Sequence, residues 1–192
     1  MEMSIQEHNL RKSQSYKLLL WFAMISMVMM FAGLTSAYVV SSSRADWLKD
    51  FKMPTAFFIS TLVIILSSVT FYLAKKAIKA DAHKITSMWL LATLFLSVTF
   101  VVLQFVGFGQ IIADGYFFTG SESTITTSFL YIVTILHMAH LFGGLIALLV
   151  IIYNHFKQKY NASQPLGIEL GEMFWHFLGI LWILLFLFFY FY

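Results

Sequence analysis

The chain has 192 residues, 60% of them hydrophobic and 11% charged, with no cysteine and a net charge of +3. A soluble domain carries roughly 25% charged residues, so this composition points to a membrane, and the lack of cysteine excludes disulfides and thiolate metal sites. The basic residues fall in short, separate clusters between apolar runs, which gives nucleic-acid binding no support.

In chain order, the opening MEMSIQEHNLRKSQS is polar and has no early small-residue cleavage site. It is expected to be a short retained tail, not a signal peptide. Five stretches then meet the roughly 20 apolar residues that a transmembrane helix needs: 18–40, 55–74, 87–113, 129–153 and 172–190. The expected fold class is an all-α membrane protein, a bundle of five transmembrane helices forming one domain over residues 1–192. The third stretch is longer than a bilayer requires, so it is expected to tilt or loosen near Gly107 and Gly109. Tyr38, Trp47, Tyr72, Trp89 and Tyr153 lie near span ends, as interfacial anchors do. The loop 114–127 is acidic and rich in Gly, Ser and Thr, and is expected to hold no fixed element.

The basic residues set an orientation. Arg11, Lys12, Lys17, Lys75, Lys76, Lys79, Lys84, Lys157 and Lys159 fall on one side of a five-span chain. Only Arg44, Lys49 and Lys52 fall on the other, beside Asp46 and Asp50. The positive-inside rule therefore predicts the N-terminus inside and the C-terminus outside.

Polar groups within hydrocarbon need partners, so they are where chemistry would lie. No Asp, Glu, Lys or Arg lies deep in any span, and Glu172 falls at the start of the fifth. That argues against a proton pump or ion-coupled transporter acting alone. Ser67, Ser68 and Thr70 suit close helix contacts better than catalysis. The segment HMAHLFGG is the most distinctive. His137 and His140 are three apart and share a helix face, and His176 on the next span could join them. Two readings stand at this point: ligation of a metal or haem, or hydrogen bonding between helices. His83 and His155 lie at loop edges and carry no comparable signal.

The motifs resemble those of subunit III of the haem–copper respiratory oxidases, in its short five-helix bacterial form. TILHMAHLFGG resembles that family's T-G-F-H-G-L-H-V-x-x-G, with Thr134, His137, His140 and Gly144 on the marked positions. ELGEMFWHFLGILWILLF resembles E-x-x-x-x-Y-W-H-F-V-D-x-V-W, matching at Glu169, Trp175, His176, Phe177 and Trp182. LSVTFVVLQ ends on the family's glutamine, here Gln104, and ISMVMMFAGLTSAY resembles I-S-E-V-x-F-F-x-G-x-x-x-A-Y. The resemblance runs through all five spans in order.

It implies a non-redox accessory subunit of a proton-pumping terminal oxidase in the bacterial inner (cytoplasmic) membrane. Such a subunit has no catalytic residue and no metal of its own. Haem and copper belong to partner subunits I and II, and phospholipid is held between helix groups. On this reading His137, His140, Gly144, Gln104, Glu169, Trp175, His176 and Trp182 are structural and polar contacts. The electron donor is cytochrome c or a quinol. An accessory protein of a nitric oxide reductase, or a stand-alone haem-binding or transport protein, are the alternatives. Three acidic positions of the family are replaced here: Met27 in the first span, Gly107 after the glutamine motif, and Gly179 after the tryptophan–histidine pair. A packing role survives those changes, whereas a role needing a carboxylate inside the subunit does not.

Overall fold

A computed structural model of the chain describes residues 5–44, 47–48, 53–120, 124–161 and 165–192. Asp46, Lys49, Asp50 and Lys52, which entered the charge pattern, lie outside the described residues. Five helices follow one another: α1 (Ile5–Ser41), α2 (Thr55–Lys79), α3 (His83–Ala113), α4 (Ile125–Phe156) and α5 (Leu166–Phe191). Each is long and apolar enough to cross a membrane, and no strand occurs among the described residues.

The helices α2, α3, α4 and α5 form a closed ring in which each packs against the next and α5 returns to α2. The α1 helix stands outside this ring, against α4 and α5 alone. Among its described residues the buried side chains, Met24, Phe31 and Tyr38, recur every seventh residue and make a single narrow seam. The α2 helix buries Phe57, Ser60, Ile64, Ser67, Phe71, Ala74 and Ile78, the alternating three- and four-residue steps of one helix face. Its inward face thus carries two serines into the bundle.

Helix ends depart from the expected limits, and several of the departures have a local cause. The polar N-terminal segment is helical from Ile5, continuous with the first span. It contains good helix formers and no Gly or Pro, and Lys17 is tied by an ion pair described below. At 37 residues α1 is roughly 55 Å long, well beyond a hydrocarbon core of about 30 Å. The α4 helix starts at Ile125, four residues earlier than expected, because Thr124 and Thr127 form a reciprocal capping box. Thr127 and Ser128 also donate to the carbonyls of Phe117 and Phe118, which ties those two residues to the first turn of α4. The α5 helix starts at Leu166, directly after Pro165, a residue that suits a helix entry.

Three helices end the same way. The amides of Asp81 and Ala82 return to Ile78 and Ala77, those of Gly115 and Tyr116 to Ile112 and Ile111, and those of Gln158 and Lys159 to His155 and Asn154. This double closure needs a left-handed residue just past the helix, and Asp81, Gly115 and Gln158 supply it at φ of 57°, 85° and 53°. The turn after α2 is therefore short, and α2 and α3 run as an antiparallel hairpin.

The expected loosening of α3 does not occur. The helix is unbroken through Gly107 and Gly109. The ring of Phe57 from α2 lies where a Cβ on Gly107 would stand, so the missing side chain makes room for a neighbour and leaves the helix intact.

Candidate functional site: the polar core and the ionic end

The motif residues occupy three places. The first is the middle of the ring, built around two tryptophans of α5. Trp182 lies with its indole 5.7 Å from the ring of Phe57, 5.4 Å from Phe100 and 5.3 Å from His137 (centroid to centroid), so it meets α2, α3 and α4 at once. Its N–H donates to Thr61 Oγ1 at 3.0 Å. Trp175, two turns earlier, donates to Ser67 Oγ at 2.8 Å and is 1% exposed. Gln104 of α3 donates through Nε2 to Ser60 Oγ at 2.9 Å. Thr70 and Thr93 join α2 to α3 through their hydroxyls at 2.8 Å. Each bond links two different helices, and each is completed inside the chain.

Gly144 belongs to the same region. A Cβ there would stand 2.7 Å from Leu178 Cδ1 and 3.4 Å from the Trp175 ring, so α4 and α5 touch at this point. Gly179 lets α5 approach α2, since a Cβ would meet Ser68 Oγ at 3.2 Å. Two of the three replaced acidic positions, Gly107 and Gly179, are thus sites of helix contact.

The second place is the side of α4 that faces Phe31 of α1, and the three histidines do not converge there. His137 is wholly buried, whereas His140 on the same helix is partly exposed. Both rings stand edge-on to Phe31 of α1, at 6.4 and 5.8 Å. His140 Nδ1 donates to the Leu136 carbonyl at 2.7 Å, one turn back on its own helix. His176 Nδ1 likewise donates to Glu172 O at 2.8 Å. The His176 ring, however, lines a groove of about 320 Å³ between α2 and α5, with Ser68, Tyr72 and aliphatic residues. Among the described residues no group of three or more potential metal ligands comes together.

The third place is the end of the bundle where α1, α3 and α5 begin and α2 and α4 finish. Glu169 pairs with Lys17 of α1 at 3.1 Å and with Lys79 of α2 at 2.7 Å, and Glu172 pairs with Lys75 at 3.0 Å. Glu169 lies in the first turn of α5 and Lys79 in the last turn of α2, the ends at which each charge also suits the helix dipole. This knot joins α1 to α2, which otherwise do not pack together. The opposite end is aromatic. Tyr38 is surrounded by Trp47, Phe129, Phe188, Phe189 and Tyr192 at ring distances of 4.6 to 6.0 Å.

Sequence reasoning missed several of these residues. Ser60 and Thr61 are the partners of Gln104 and Trp182, and the serine's place on the buried α2 stripe was a usable signal. His155 was set aside as a loop-edge residue, yet it is 4% exposed, bonds Ser87 Oγ at 3.0 Å and stacks on His83 at 5.8 Å. No spacing along the chain reveals the pairing of Lys75 and Lys79 with α5.

Five apolar helices, a hydroxyl- and tryptophan-laced core and an ionic end define an integral membrane protein whose polar residues join helices. Comparison with known proteins adds the particular family. The family model for cytochrome c oxidase subunit III matches residues 2–192. The chain is 28% identical over 170 residues to cytochrome c oxidase subunit 3 of Thermostichus vulcanus, covering 85% of this chain and 80% of that one. It is 30% identical over 174 residues to cytochrome bo(3) ubiquinol oxidase subunit 3 of Buchnera aphidicola (subspecies Schizaphis graminum), covering 89% and 90%. The bo(3) subunit 3 of Pseudomonas aeruginosa is 28% identical over 170 residues. The chain belongs to the cytochrome c oxidase subunit III family, the accessory subunits of haem–copper oxidases.

Proposed function

We propose that this chain is the redox-silent accessory subunit of a proton-pumping haem–copper terminal oxidase, seated in a bacterial cytoplasmic membrane. It packs on subunit I in a complex that also holds subunit II, and those partners carry the haem and copper. Phospholipid lies against its exposed apolar faces. The N-terminus and the ionic end face the cytoplasm.

The observation that carries this reading is the agreement of family and site. Trp175, Trp182 and Gly144, which match the family's motifs in α4 and α5, are engaged with neighbouring helices of the same chain. A subunit of that kind contributes shape and stability, with its chemistry supplied by others. It also has no carboxylate within the bilayer, so support for proton uptake is indirect, through the surface and lipid around subunit I. The relatives include both cytochrome c and ubiquinol oxidase subunits, and a quinol-oxidising complex is the second reading.

Affinity purification from native membranes through a tag on this chain tests the proposal. Larger partner subunits with haem absorbance should accompany the tagged chain. The reduced complex should be oxidised by air. A chain that purifies alone from gently solubilised membranes would overturn the assignment.

A further inference from the structure

Among the described residues, the buried side-chain atoms without a hydrogen-bond partner are His83 Nδ1 and His155 Nδ1 at the ionic end, and Gln104 Oε1, His137 Nδ1 and His137 Nε2 inside the ring. Gln104 and His137 are each 0% exposed. The geometry points to a small internal water site in the middle of the bundle, bounded by Gln104 of α3, His137 of α4 and the indole of Trp182, with one or two water molecules bridging the amide to the imidazole.

The hydrogen-bond capacities require such a partner. Ser60 donates its only hydroxyl proton to Phe57 O at 2.9 Å, so its oxygen accepts from the Gln104 amide nitrogen. That fixes the amide, leaving Oε1 as the acceptor still to be filled. A neutral imidazole has one N–H to give and one bare nitrogen to fill, and His137 meets neither need within the chain. Water both donates and accepts, so it can serve Oε1 and the ring together.

Polar groups of α3 and α5 in this part of the ring are already engaged. The Trp182 N–H is committed to Thr61, the Trp175 N–H to Ser67, and the Ser97 hydroxyl to Thr93 O. Trp182 connects α3 and α4 at this level. Its indole lies against His137 and against Phe100, one turn from Gln104. The bridged site would extend the Ser60–Gln104 link to α4, joining α2, α3 and α4 through one polar chain.

Two measurements on the purified oxidase complex test this. High-resolution cryo-electron microscopy should show ordered density about 3 Å from both Gln104 Oε1 and a His137 ring nitrogen. Direct contact between the two side chains, or no density there, overturns the water site. The second compares Gln104→Leu, His137→Leu and the double variant by the thermal midpoint at which this subunit leaves the complex. Each single change strands the other group, so the double variant should fall no further than the worse single one. Additive losses would contradict a shared site. If the variants do not assemble, the density in the unaltered complex decides.

Discussion

Gly143 and Gly144 are neighbours in sequence with opposite surroundings. A Cβ on Gly143 would meet nothing within 4 Å, whereas one on Gly144 would press on Leu178 and Trp175. Gly144→Leu should therefore force α4 and α5 apart at a cost of about 1–3 kcal/mol, the range for overpacking a filled core. Gly143→Leu should leave the fold intact. The thermal midpoint of each variant in the assembled complex checks this, and equal midpoints would show that the α4–α5 contact is loose. The bond between Trp175 and Ser67 makes a second prediction at this scale. Ser67→Ala strands a buried indole N–H and should cost about 1 kcal/mol. Ser68→Ala, facing the groove between α2 and α5, should be close to neutral. A Ser67→Ala complex that melts like the unaltered one would show that the bond adds nothing to stability.

Among the elements, α1 has the narrowest contact, and in its N-terminal half Lys17 ties it to Glu169. These carboxylate–lysine pairs are partly exposed, so each stabilises by no more than about 1 kcal/mol. Their effect should be local. Glu169→Gln should speed amide hydrogen exchange in the residues around Lys17, because that change releases α1 from α2 and α5 together. Glu172→Gln should alter only the junction of α2 with α5. Unchanged exchange around Lys17 in Glu169→Gln would mean that the α1 seam at Met24, Phe31 and Tyr38 holds the helix unaided. The same knot explains what the sequence could and could not reveal. The five apolar spans were legible because hydrophobic length alone specifies a membrane helix. The ends were less so. The polar start of α1 is paired across helices at Lys17, and two of the three left-handed terminators are Asp81 and Gln158, where glycine would be the recognisable signal. Motif residues were visible one by one. Their partners were not, since pairing Trp175 with Ser67 or Gln104 with Ser60 depends on how far each helix slides along the next. Gly107 was read as a weak point in α3 for the same reason, because Phe57 lies fifty residues earlier in the chain.

The whole molecule is polarised, with lysines and glutamates at one end and the aromatic cluster around Tyr38 at the other. The distribution of basic residues predicts that the ionic end faces the cytoplasm. A cysteine at Thr119, an exposed position in the loop before α4, should then react with an impermeant reagent in intact cells. One at Lys84 should react only after permeabilisation. The reverse pattern would invert the topology. The proposed function gives the histidines of α4 and α5 a packing role and no redox centre. It is tested most directly by counting haem and copper per assembled complex in His137→Gln, His140→Gln and His176→Gln. Less assembled complex is expected, above all for the wholly buried His137, with an unchanged complement of haem and copper in what does assemble. An intact complex that had lost a haem or a copper ion with any one of these histidines would contradict it.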